Sequence, residues 1–120
     1  CEKYKESLGI ETPNLGTLSK YLSGGNQQKV MIARSLNARS KIIIFNEPTR
    51  GVDIRAKVEI YKLLNQLASQ GAGIIFISQE ISEMIGMSDR ILIWRDGEIV
   101  ETVLRKEANK EKILGLITGA

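Results

Sequence analysis

A chain of 120 residues, 42% hydrophobic and 26% charged, has ordinary globular composition and room for about one small domain. One cysteine, Cys1, and no histidine exclude an internal disulfide and remove the usual zinc and haem ligand sets. Seventeen Lys+Arg against fourteen Asp+Glu leave a net charge of +3, but the two signs are interspersed and aromatic residues make up only 5%, which argues against direct nucleic-acid binding by stacked bases.

In chain order, residues 1–22 are polar and irregular, with a turn at Thr12-Pro13-Asn14-Leu15-Gly16. Ser23-Gly24-Gly25-Asn26 reads as a helix start, and Val30, Ile32, Ala33 and Leu36 at near-helical spacing predict a helix over Gln27 to Asn37. Lys41 to Phe45 is a short β-branched run expected to be a strand buried on both faces, ending in Asn46-Glu47-Pro48. Asp53 to Ser69 is amphipathic, with Ile54, Val58, Tyr61, Leu64 and Leu67 as its apolar stripe and Gly71 closing it. Gly73 to Ser78 reads as a second buried strand and Ile81 to Met87 as a short helix. Arg90 to Arg95 and Glu98 to Val103 flank Asp96-Gly97, a two-residue hairpin signal. A last amphipathic helix covers 107–117. This alternation predicts an α/β fold with a mainly parallel sheet flanked by helices and a C-terminal β-hairpin. The apolar runs are strand-length, far short of the ~20 residues of a membrane span, and no signal peptide pattern opens the chain, so a reducing cytoplasm is the expected setting.

Ligands of open α/β sheets bind outside the carboxyl ends of the strands, where Asn46-Glu47 and Ser78-Gln79 fall. Glu47 has the position of a general base that orients a water, or of a capping or salt-bridged carboxylate; position alone leaves both open. Adjacent glycines in Leu22-Ser23-Gly24-Gly25-Asn26-Gln27-Gln28 would let backbone N–H groups and a helix dipole meet an anion, while Ser-Gly-Gly is equally an ordinary helix cap. Arg50 and Arg55 read as surface or interface charges, Trp94 as an edge-strand packing group, and Met31, Met84 and Met87 as fillers of core gaps.

Two blocks together carry a resemblance: Leu22-Ser23-Gly24-Gly25-Asn26-Gln27-Gln28-Lys29-Val30, and Ile43-Ile44-Phe45-Asn46-Glu47-Pro48-Thr49-Arg50-Gly51-Val52-Asp53. Both resemble the ATP-binding cassette (ABC) ATPases, along essentially the whole chain. With Met87-Ser88-Asp89-Arg90-Ile91-Leu92, they look most like the second cassette of the tandem ATPases that serve bacterial ribose, galactose and xylose importers. The resemblance implies a P-loop NTPase-like cassette with residues 1–40 in its helical, signature-bearing subdomain and 41–120 in its RecA-like core. It further implies that Ser23, Gly24 and Gly25 are the signature that contacts the γ-phosphate of ATP held by the facing cassette, with Gln27 starting the signature helix. Ile42 to Phe45 match the Walker B strand, Asn46 its terminal position near Mg²⁺, Glu47 the glutamate that polarises the attacking water, and Asp53 the D-loop aspartate. Gln79 stands where most members carry the switch histidine.

Three departures matter. An amide at Asn46 keeps an acceptor oxygen but loses the charge that helps hold hydrated Mg²⁺. Gln79 can hydrogen-bond a γ-phosphate but cannot titrate near neutrality. No Gly-x-x-x-x-Gly-Lys-[Ser/Thr] occurs, so the Walker A strand and loop are lacking; the chain is expected to be the C-terminal part of a cassette and not to hydrolyse ATP alone. The implied function is that of the ATPase of a carbohydrate importer, with ATP and Mg²⁺ as nucleotide and metal. Its implied setting is cytoplasmic, peripheral on the inner face of the membrane. Implied partners are an N-terminal cassette of the same protein or a second ATPase subunit, the membrane permease subunits and, indirectly, a periplasmic or lipoprotein sugar-binding protein. The alternatives are a non-transport ABC ATPase acting on ribosomes or DNA, and a non-catalytic remnant that only assembles.

Overall fold

A computed structural model describes residues 1–119. The elements run α1 (Glu2–Ser7), α2 (Gly24–Asn37), β1 (Ile42–Asn46), α3 (Ile54–Ser69), β2 (Gly73–Ile77), α4 (Ile81–Met87), β3 (Arg90–Arg95), β4 (Glu98–Leu104) and α5 (Lys110–Thr118), with 3₁₀ turns at Ser19–Tyr21 and Arg105–Glu107. Order and type follow the sequence pattern, apart from the opening helix α1. The structure falls into two compact units, Cys1–Ile75 and a second from Phe76 onward.

In the first unit α2 packs against α3. Each begins where a side chain satisfies a backbone donor that the first turn leaves open: Ser23 accepts from the Asn26 N–H, and Asp53 from the Ala56 N–H at 2.9 Å. The helix α2 therefore starts at Gly24, ahead of the expected Gln27. On α3 the buried stripe is Ile60, Leu63, Leu64 and Leu67, whereas Ile54 and Val58 are exposed. The expected stripe thus holds at Leu64 and Leu67 and fails at Ile54 and Val58, because the i, i+3, i+4, i+7 set through Ile60 is the one that is buried. Chain reversal after α3 uses Gly71, at φ +95°.

The strand β2 joins β1 in a two-stranded parallel sheet. On β1 the expectation of burial on both faces is corrected: Ile43 and Phe45 are buried, but Ile42 and Ile44 are 66% and 63% exposed. Strand side chains alternate between faces, and among the described residues nothing covers the Ile42/Ile44 side. On β2, Ile75 and Ile77 are likewise exposed. Met31 is also exposed rather than filling a core gap.

The second unit is built on an antiparallel hairpin, β3 with β4, whose register runs Arg90↔Leu104 to Arg95↔Glu98. Asp96 and Gly97 turn it with φ of +51° and +88°, the doubly left-handed geometry that suits the right-handed twist of the strands. An irregularity between Ile93 and Trp94 shifts the pairing. Ile91, Ile93, Val103 and Ile113 form the core, with Met84, Ile85 and Leu116 packed against it. Trp94 lies on the opposite face of β3 and is 67% exposed, so it does not pack as expected.

Candidate functional site

The Ser23-Gly24-Gly25 loop is held from several sides. Ser23 Oγ accepts from the Asn26 backbone N–H at 3.3 Å and from its side-chain amide at 3.0 Å. Asn26 Oδ1 in turn accepts from the Glu11 N–H at 3.0 Å, tying the helix start to the preceding segment, where Leu8 and Ile10 are buried. The Gln27 side-chain amide donates back to the Leu22 carbonyl at 3.0 Å. Gln27 thus spends a donor on the loop itself, a local role beside the nucleotide contact that the resemblance implies. Ser23 and Gly24 remain exposed at the positive end of a helix of 14 residues, an arrangement suited to an anion.

This loop lies against the turn that carries the Pro48–Asp53 string. A Cβ on Gly25 would stand 2.7 Å from the Ala56 Cβ, closer than two such atoms pack, and one on Gly24 would stand 3.3 Å from the Gly51 carbonyl oxygen. Two elements that the sequence suggested separately are therefore in direct contact. Asp53, at the junction, caps α3.

At the carboxyl end of β1, Asn46 is exposed, Glu47 is partly buried, and Pro48 and Thr49 are buried beneath them. Glu47 has φ +50°. A residue preceding proline is normally driven to extended backbone, and a left-handed φ costs a side-chain-bearing residue about 1–2 kcal/mol. The Arg50 N–H to Glu47 carbonyl hydrogen bond, 3.1 Å, closes the turn that imposes it. Strain of this kind collects at functional positions. Arg50 and Arg55 are exposed, as expected of surface charges.

In the second unit Gln79 is exposed, one residue past a buried serine. Ser78 Oγ donates to Glu83 Oε2 at 2.6 Å and accepts from the Glu80 N–H at 3.0 Å, so it spans the start of α4 and fixes the turn on which Gln79 sits. The sequence places Ser78 at a strand end but gives no hint of its partner Glu83; the signal was Ser-x-x-x-x-Glu across a predicted helix start. Lys29 was missed as well. It is buried, with its ammonium 2.5 Å from Glu59 Oε2 and donating to the Gly9 carbonyl at 2.9 Å. Hydrogen bonding to Lys29, and then its charge, hold the Glu59 carboxyl below the ordinary glutamate range. A shallow cleft lined by Met31, Arg34, Ile42 and Ile44 lies at the far end of α2 and the start of β1, away from Ser23 and Glu47.

Among the described residues no group of three or more acidic, histidine or cysteine side chains converges on one point, and at the strand end Asn46 offers a single uncharged oxygen that would suit Mg²⁺ through its water shell.

The Ser23-Gly24-Gly25 loop at the N-terminus of α2 lies against the Gly51–Ala56 segment, and the chain is similar to nucleotide-binding cassettes of the ABC class. The family model described as ABC transporter matches residues 1–50. A ribose import ATP-binding protein of Rubrobacter xylanophilus is 51% identical over 113 residues, covering 94% of this chain and 23% of that protein. A xylose import ATP-binding protein of Geobacillus kaustophilus is 48% identical over 119 residues, covering 99% of this chain and 24% of that protein. The chain thus spans about a quarter of the length of these relatives. Among solved structures, a dimeric ATP-binding cassette in a post-hydrolysis state bound to ADP and Pi superposes with a TM-score of 0.75 at 26% identity, over 87% of this chain and 45% of that one.

Proposed function

We propose that this chain is the C-terminal part of the second nucleotide-binding cassette of a tandem sugar-import ATPase, in which residues 1–40 belong to the helical subdomain and 41–120 to the core. Ser23, Gly24 and Gly25 complete the ATP site of the facing cassette. The observation that carries this reading is the loop itself: exposed Ser23 and Gly24 at the N-terminus of α2, held in place by Asn26 and by the Gly51–Asp53 turn. Backbone N–H groups at a helix start and the serine hydroxyl are donors suited to the terminal phosphate of a bound nucleotide. The sugar-import relatives support transport over action on ribosomes or DNA.

Asn46 and Glu47 belong to this cassette's own site, and Gln79 stands at the position that the resemblance assigns to the switch residue. Glu47 orients the attacking water, and its carboxylate accepts a hydrogen bond from it. Asn46 offers an uncharged oxygen to the water shell of Mg²⁺, a weaker hold than a carboxylate gives. When bound, the ion neutralises charge on the phosphates. Gln79 donates a hydrogen bond toward the γ-phosphate without changing its own charge. The own site therefore turns over slowly, and the chain acts chiefly in trans. Asp53 caps α3 and lies at the face that meets the partner cassette. The full protein sits at the cytoplasmic face of the membrane against permease subunits; among the described residues no helix is long and apolar enough to cross a membrane.

The test is Mg-ATP hydrolysis by the full-length ATPase carrying this segment. Ser23→Arg is expected to abolish turnover, Glu47→Gln to leave most of it, and Asn46→Asp to raise it. Equal damage from Ser23→Arg and Glu47→Gln would show that the Asn46 site hydrolyses at full rate and would overturn the division of labour.

A further inference from the structure

Lys29 sits one turn after Gly25 on the same face of α2, and its side chain is only 9% exposed. Long charged side chains are seldom buried so far unless paired. Its single ammonium reaches two other segments: Glu59 on α3 at 2.5 Å and the Gly9 carbonyl, in the opening segment, at 2.9 Å. One turn nearer the loop, the Gly25 backbone presses on Ala56, three residues before Glu59 on α3. Residues three and four apart share a helix face, so Gly25 with Lys29, and Ala56 with Glu59, make two successive rungs between α2 and α3.

The rungs do different things. The Gly25 to Ala56 contact is a stop, fixing how closely the helices approach, but it offers nothing against separation or rotation. The Lys29 to Glu59 pair supplies the pull, and the Gly9 carbonyl fixes the direction of the ammonium. Together they attach the signature loop to the helix that begins at Asp53.

We propose that Lys29 is a positioning residue that clamps the Ser23-Gly24-Gly25 signature and the Gly51–Asp53 turn into one rigid block, so that both meet the facing cassette's nucleotide as a unit. The proposal rests on the reading that the signature acts in trans. Without the clamp, the loop and the turn sample relative positions of which only a fraction fits the nucleotide. Apparent affinity falls by that fraction, while the chemical step, once the block is assembled, is unchanged.

The experiment measures the ATP dependence of turnover for the full-length ATPase carrying Lys29→Met, Lys29→Arg, Glu59→Gln or Ser23→Arg, with thermal unfolding of each. Lys29→Met is expected to raise KM for ATP about tenfold with kcat held within about threefold. Lys29→Arg, which keeps the charge and can reach both acceptors, is expected to return KM to within about twofold of the parent. A merely structural role would lower the unfolding temperature and leave KM alone; that result overturns the clamp. Glu59→Gln breaks the pair from its half-exposed side and is expected to raise KM about threefold even if Lys29→Met does not fold; an unchanged KM in Glu59→Gln also overturns the clamp. Ser23→Arg separates the two levels. If it leaves turnover intact, the trans reading falls and the clamp with it; if it abolishes turnover while Lys29→Met and Glu59→Gln leave KM unmoved, only the clamp falls.

Discussion

The start of α2 and the end of β1 carry the two motifs that matter, yet they are built in opposite ways. Around Ser23 the backbone is regular, the helix is capped, and every neighbour is anchored: Asn26 to Glu11, Gln27 to Leu22, Lys29 to Glu59 and Gly9. Around Glu47 the backbone is strained, the Asn46 side chain faces solvent, and the alternate face of the strand is apolar and uncovered. A region that works on a partner's nucleotide must keep its shape without that nucleotide. A region that works within its own site can leave part of its shape to the rest of that site. The difference is in line with the proposed roles, a loop offered to a facing cassette and a strand end that belongs to this cassette's own site.

The largest effect that would break this comparison lies at Gly25. A methyl there meets the Ala56 Cβ at 2.7 Å, so Gly25→Ala has to separate α2 from α3 or move the loop. We expect a loss of about 1–3 kcal/mol in chemical denaturation, with Ala56→Gly in the same chain restoring a large part of it. A loss below a few tenths of a kcal/mol would mean that the signature end is not tightly built. A smaller effect of opposite sign is expected at Glu47. Glu47→Gly removes the left-handed penalty, whereas Glu47→Ala keeps it, so the glycine variant should be the more stable of the two by about 1 kcal/mol after its own extra unfolded-state entropy is counted. Equal stabilities would show that the turn relaxes and that no strain is stored beside the candidate base.

What was legible in the sequence follows the same divide. Ser23 as a cap, and Asp96-Gly97 as a turn, were readable because each is a local rule: a short polar side chain before an apolar period, or two residues that tolerate positive φ. The signature and Walker B strings were readable because they resemble a known family. Lys29 was not, since a lysine on a helix is by default a solvated charge and its partner Glu59 lies on another element. The exposed side of β1 was not, since an unbroken Ile-Ile-Ile run carries no information about which face another layer covers. Nor was the outward turn of the first half of α3, where Ile54 and Val58 fit the helical period as well as the buried Leu64 and Leu67 do and only packing decides. The strain at Glu47 ran against the local rule for a residue before proline, and such failures of local reasoning are expected at functional positions.

The smallest effect probes the anchor of the tightly built region through its charge. The Lys29 hydrogen bond and charge favour the ionised Glu59 in the folded chain, so its folded pKa lies below its unfolded one. The stability this contributes is fully present above the unfolded glutamate value, about 4.3, and drains away as the pH falls through the lower folded value. Glu59 is 38% exposed, so solvent screening limits the contribution to about 0.5 kcal/mol at neutral pH. The parent chain should therefore exceed Glu59→Gln in denaturant midpoint at pH 7, and the two curves should converge below about pH 4. Parallel curves from pH 7 to pH 3 would mean that the ammonium gains nothing from the carboxylate's charge. The Gly9 carbonyl would then be the partner that holds Lys29, and the signature helix would be tied to the opening segment rather than to α3.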